Sequence, residues 1–267
     1  MPAPGADMSE EEKIRLGGMA LPNGVLVHGP SSWACAIRTE DGKIEVASAY
    51  KKFRASNVSS PFLRGPARLA EAIALLPVLK RALPKAELPM QSRRMLSAMV
   101  GTALVARSVR ESSRLGPAAR ELLSSVISLV PAALALRGGE LAAYHGAEHI
   151  SIGRYEHGDA AQKEHERCGG HLIGPLVATS AVGNALAGLA PEHRRNHARA
   201  AAQIGAIAAS TEIFGWMTRH PDNPVAQALS KPGHELQHRF STAEPTPEQL
   251  EVAEAALAAC LELEKSA

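Results

Sequence analysis

The chain has 267 residues, 45% hydrophobic and 21% charged, an ordinary composition for a folded protein with a sizeable core. A formal charge of +2 and an aromatic content of 3% exclude the basic footprint and the stacking platforms of a nucleic-acid binder, so no nucleic-acid partner is expected. Cys35, Cys168 and Cys260 are odd in number and widely spaced, with no Cys-x-x-Cys pair, which points to a reduced, cytoplasmic setting.

Residues 1–16 form a polar tail with no apolar signal segment. Residues 17–60 read as a small β-rich region. Val25-Leu26-Val27 and Trp33-Ala34-Cys35-Ala36-Ile37 are short apolar runs, and Asp41-Gly42 is a turn leading into the alternating Lys43-Ile44-Glu45-Val46. Residues 61–267 are Ala- and Leu-rich, with helices expected over 67–82, 91–112, 117–136, 139–150, 172–189, 196–218 and 247–263. The last has a clear start, with Thr246 as N-cap, Pro247 at the first helical position and Gln249 closing a capping box. The expected class is α+β, mainly α: a small N-terminal β-hairpin sheet followed by an Ala-rich helical bundle. Leu122–Leu136 and Leu172–Ala190 carry no charged residue, yet Ala, Gly, Ser and Thr dominate them. Buried helices are therefore preferred to membrane spans, with membrane contact kept as an open expectation.

The most informative segment is Tyr144-His145-Gly146-Ala147-Glu148-His149. On a helix, His145 and His149 project from one face a turn apart and can share one divalent cation. Glu148 lies beside that face, placed to act as a base on water. The order His-x-x-Glu-His is the inverzincin signature, although two histidines four apart are also common as a plain polar stripe. Glu156, His157, Asp159, His165, Cys168 and His171 follow, a density of ligand-type side chains that favours a site. His165, Cys168 and His171 are spaced by threes, compatible with one helical face. No phosphate-binding glycine loop and no Gly-x-Ser-x-Gly elbow is present, so nucleotide and serine-hydrolase chemistry have no support.

Several separate motifs carry a resemblance. They are Asn23-Gly24-Val25-Leu26-Val27-His28-Gly29-Pro30 with Trp33-Ala34, Pro61–Gly65, Tyr144–His149, and His165 with Arg167-Cys168-Gly169. Near the end stand Pro232-Gly233, Gln237, Thr242, Glu244-Pro245 and Gln249–Ala253. Together they resemble the YqhQ family (domain of unknown function 1385), a bacterial group described as predicted metal-dependent enzymes whose typical members look like multi-pass membrane proteins. Asn23, Ile150 and Glu166 depart from the family pattern, and the helices are less membrane-like. The resemblance therefore implies a divergent member, soluble or peripheral.

His145 and His149 rank first as metal ligands, where geometry and family motif agree. His165 and Cys168 rank second, kept by the family motif and chemically suited to zinc. Glu212 ranks third, by analogy with the later glutamate ligand of inverzincins. Its alternative is a carboxylate paired with an arginine such as Arg199 or Arg219. His234-Glu235-Leu236-Gln237-His238 spells the ordinary zincin motif; a chance match on an amphipathic helix is preferred to a second site. The expectation is thus a metal-dependent enzyme, with zinc the expected cofactor and Glu148 the catalytic base. It would hydrolyse an unidentified small-molecule or peptide substrate. Iron-dependent oxidation is one alternative. The other is a non-catalytic, membrane-associated assembly protein with a structural metal site.

Overall fold

Four antiparallel strands, in the spatial order of the chain, form the sheet of the computed structural model: β1 (Gly17–Leu21), β2 (Gly24–His28), β3 (Ser32–Arg38) and β4 (Ile44–Tyr50). The structure describes residues 13–89, 93–128, 130–136, 139–158 and 161–267. Asp159, most of the polar tail (1–12), the start of the 91–112 helix (91–92) and position 129 of the 117–136 helix lie outside them.

The sheet is buried on both faces. Successive side chains of a strand point to opposite sides. Val25, Val27, Ala34 and Ala36 pack on two helices, α5 (Gly139–His157) and α9 (Pro247–Lys265), while Leu26, Trp33, Cys35 and Ile37 pack on α1 (Arg64–Ala82). Continuous apolar runs such as Trp33–Ile37 are what a strand covered on both sides requires. Each Leu, Ile or Val removed from water there contributes about 1.5–3 kcal/mol. Cys35 and Cys260 are both fully buried, one on each side of the sheet.

β1 was not expected, because Gly17 and Gly18 dilute its apolar pattern. It pairs along its whole length with β2, from Gly17 opposite His28 to Leu21 opposite Gly24 across a two-residue turn. As the outer strand it leaves one edge unpaired within the sheet.

The helices follow the expected order with three differences. The expected 117–136 helix is described as α3 (Pro117–Ser128) and α4 (Val130–Leu136), after α2 (Arg93–Glu111). The 139–150 helix, α5, continues to His157. A helix over 224–236 was not expected; it follows α6 (Ile173–Gly188) and α7 (Arg195–Arg219). This α8 (Pro224–Leu236) starts where Asn223 accepts a hydrogen bond from the Val225 amide at 2.9 Å and Pro224 takes the first helical position. Pro232-Gly233 reads as a helix stop but sits inside it. The chain then makes a π-helical turn over Gln237–Ser241 before α9, whose Thr246–Gln249 capping box is formed in both directions. None of the described helices is long and apolar enough to cross a membrane.

The C-terminal end of α9 locks the β2–β3 turn. Glu264 accepts hydrogen bonds from the Ser31 amide at 2.9 Å and the Ser32 amide at 2.6 Å, and from both serine hydroxyls.

Candidate metal centre

Helix α5 carries the two leading histidines through the centre of the molecule. From Leu141 to Gly153 every side chain is buried except that of His145, which is half-buried. Such a helix can run there because small residues admit its neighbours. A Cβ on Gly146 would lie 2.1 Å from the Ala243 carbonyl oxygen, so only glycine lets the 241–245 segment cross the helix this closely. A Cβ on Gly18 of β1 would lie 2.2 Å from a Glu148 carboxylate oxygen; glycine there gives Glu148 its room.

Carbonyls of the 241–245 side and of the 161–168 loop orient the two histidines. His145 donates from Nδ1 to the Ser241 carbonyl at 2.7 Å, and His149 donates from Nδ1 to the Lys163 carbonyl at 2.5 Å. With both Nδ1 protons committed to carbonyls, each ring offers Nε2 as a lone pair, the tautomer a metal-ligating histidine needs. Burial lowers the pKa of both rings, that of His149 well below its ordinary value, and so favours the neutral form. Cys168 caps a short 3-10 turn, Gly169–Leu172, and its Sγ lies 3.6 Å from His145 Nε2. A tetrahedral ion with Zn–N of about 2.0–2.1 Å and Zn–S of about 2.3 Å separates those donors by about 3.6 Å. Ligand atoms of His145, His149 and Cys168 all fall within 4.8 Å of one another, and among the described residues this is the group of three such side chains gathered so closely. Burial pushes the Cys168 thiol up to about 12, with the Gly170 amide opposing and Glu148 adding to the rise, so binding a cation there displaces a proton.

Glu148 stands apart from that cluster but lines the same cleft. It is 6% exposed, and burial alone pushes its carboxyl up to about 8. A cation beside it would favour the charged form and bring it back toward the basic state.

The other expected residues are placed differently. His165 stacks near His149, with ring centroids 5.6 Å apart, but both its nitrogens are engaged. Nε2 donates to Glu156 at 3.0 Å and Nδ1 accepts from the Arg167 amide at 3.3 Å. Glu212, expected as a late ligand, is away from the cluster. It sits on α7 in a two-pronged ion pair with Arg64 at the start of α1, with Arg64 Nε 2.6 Å from the carboxylate. The shared helical face expected for His165, Cys168 and His171 does not form, because residues 161–168 are irregular. His171 instead donates from Nδ1 to the Ser230 carbonyl at 3.1 Å and accepts from Gln237 Nε2 at 3.0 Å. The zincin-like pair stacks across the junction of α8 and the π-helical turn, ring centroids 6.3 Å apart, but His238 Nδ1 meets Glu164 at 3.0 Å, and neither histidine belongs to the cluster.

Gln237 is a positioning residue that the sequence reading named only as part of a motif. It is fully buried and accepts from the His165 amide at 2.9 Å while donating to His171, so it pins the loop that carries Cys168 to the π-turn that carries Ser241. The signal for it was its own place among the matched motif positions, between Pro232-Gly233 and Thr242.

The cluster forms the floor of a cleft of about 850 Å³ bordered by β1, α2 and α5. A buried His2Cys set with a neighbouring glutamate, opening on a cleft, defines a candidate metal centre with three protein ligands. Residues 139–263, which hold both ligand motifs, match the family model described as "Protein of unknown function (DUF1385)", and that match supports membership of the chain in this family. No curated protein and no solved structure matches the chain.

Proposed function

We propose that the chain is a metal-dependent hydrolase whose ion is held by His145 and His149 through Nε2 and by Cys168 through Sγ. The observation that carries this reading is the convergence of two carbonyl-anchored imidazoles and a thiol on one point at the floor of a cleft. Three protein ligands leave a coordination position for reactant, as catalytic sites do, and a thiolate third ligand favours zinc over non-haem iron. When bound, such an ion supplies Lewis acidity and makes water a nucleophile near neutral pH. Glu148 is the general base: its carboxylate takes the proton from the attacking water and delivers it to the leaving group. The Ser241 and Lys163 carbonyls hold the two imidazoles in place throughout, and the apolar walls limit access of bulk water.

Elemental analysis of the purified protein and its variants tests this. The expected result is one equivalent of zinc in the parent chain and in Glu148→Gln, and none in the His145→Ala/His149→Ala double variant. Glu148→Gln is expected to lower hydrolysis of a responsive ester or amide by about 10²–10⁴-fold while keeping its zinc. Full retention of metal by the double variant would sink the assignment.

A second reading rests on the exposed apolar residues of α2, among them Leu96, Val100 and Leu104. It is a partner- or membrane-associated protein in which the ion staples the 161–168 loop to α5. Under it, metal removal unfolds the chain, because the binding free energy of a structural site is folding free energy. An apo-protein with unchanged melting temperature and helical circular dichroism rules it out.

A further inference from the structure

We propose that the cleft above His145, His149 and Cys168 binds a long, unbranched apolar chain, such as a fatty acyl group, with its polar end at the metal centre. This deepens the hydrolase reading and rests on it for the reacting end alone.

The walls decide the chemistry. Leu76 of α1, Leu88 between α1 and α2, Met95 and Met99 of α2, and Leu141 and Ile152 of α5 supply much of its apolar lining. The hydroxyls that border the cleft are already spent within their own helices. Thr102 donates to the Ala98 carbonyl at 2.8 Å, and Ser128 donates to the Ser124 carbonyl at 2.7 Å. The polar side chains that remain are those of the cluster, His145, His149 and Cys168, with Glu148, His165 and Arg167 near it and His28 beside Gly17. A largely apolar cleft with most of its ionisable groups gathered around one cluster selects a ligand with the same asymmetry.

Methionine sharpens the assignment. Met19, Met95 and Met99, three of the seven methionines in the chain, border this one cleft. Unbranched, polarisable side chains adapt to a flexible chain better than they fix a rigid ring. A peptide occupant would need partners for its own amides along its length. Among the described residues, backbone groups border the cleft at the edge strand β1 and at Gly169-Gly170, whereas the amides of α1, α2 and α5 are spent within their helices, so the acyl chain is the better fit.

The test uses the full chain, with displacement of a fluorescent fatty acid by octanoate, dodecanoate and hexadecanoate. Zinc content is measured in parallel. Binding is expected to tighten about fourfold per added methylene, on the order of 200-fold from octanoate to dodecanoate. Ala103→Trp, at an exposed position facing the cleft, is expected to weaken hexadecanoate at least tenfold with zinc content unchanged. Leu104→Lys, an exposed position outside the cleft lining, is expected to leave binding unchanged. Met99→Lys repeats the cleft test should Ala103→Trp fold poorly.

Affinity independent of chain length, equal loss in Leu104→Lys, or binding of an apolar heptapeptide in place of the acids overturns the proposal. Zinc without acyl binding overturns this inference and spares the metal assignment. Acyl binding by a chain without zinc overturns the hydrolase reading and leaves the cleft assignment standing.

Discussion

Helices α5 and α2 both border the cleft, yet they are built on opposite terms. In α5, thirteen consecutive positions from Leu141 to Gly153 are buried apart from half-buried His145. In α2, of the described side chains, only Met95 and Ala106 are buried, and Leu96, Met99, Val100, Leu104 and Val105 are exposed. Helix α5 is clamped between the sheet, α9 and the 241–245 segment, and close-packed interiors feel a change of a single methylene. Helix α2 packs on α3 and α4 and leaves the rest of its surface exposed. Two of the candidate ligands, His145 and His149, sit on the closely packed helix, and Met95 and Met99 sit on the more exposed one, a division that would suit the proposed chemistry under a flexible substrate.

Four substitutions put that contrast to the test. Gly146→Val should have the largest effect. Its Cβ meets the Ala243 carbonyl oxygen, so a loss of about 3 kcal/mol is expected from overpacking, read by chemical denaturation. A loss below about 0.5 kcal/mol would mean that the 241–245 crossing is not tight. Next comes Glu264→Ala. It removes a carboxylate that accepts from two amides and two hydroxyls of the β2–β3 turn, and is expected to cost about 2 kcal/mol.

A pH effect follows from His28, whose pKa is lowered to about 4 by burial first and by the neighbouring Lys51 second, with Glu71 opposing. Its unfolded value is 6.5, so below that pH the unfolded chain binds more protons than the folded one. The neutral ring's contribution is therefore complete above pH 6.5 and is lost as pH falls toward about 4. With the side chain 32% exposed, solvent screening reduces the effect to on the order of 1 kcal/mol. Stability of His28→Asn measured from pH 7 to 4 should fall less steeply than that of the parent; an identical slope would remove His28 as the cause. Leu104→Ser, on the exposed side of α2, should change stability by no more than about 0.5 kcal/mol. A larger loss would show that this surface is covered in solution, and sedimentation would then identify self-association.

Much of this architecture was legible from residue pattern. The strands β2, β3 and β4, the cap of α9 and the helical order all follow from local periodicity and turn chemistry. The boundaries of α5 and α8 were less legible, since Pro232 inside α8 and the polar residues after Ile150 in α5 act as stop signals only when nothing packs against them. Strand β1 escaped notice because Gly17 and Gly18 carry no hydrophobic signal. Their value is space for His28 and Glu148, which arrive from elsewhere in the chain. The site divided in the same way. The spacing of His145, Glu148 and His149 placed all three at the cleft, and Cys168 joined them. Glu212 looked like an available carboxylate until Arg64, 148 positions away in the chain, took it up.

The sequence by itself determined the helical face that carries His145, Glu148 and His149, because an α-helix repeats every 3.6 residues whatever surrounds it. Which donors converge beside it was decided only by the tertiary structure. The Ser241 and Lys163 carbonyls and Cys168 meet that face through contacts between distant parts of the chain. Burial and tautomer, the two properties that turn histidines into ligands, are properties of those contacts.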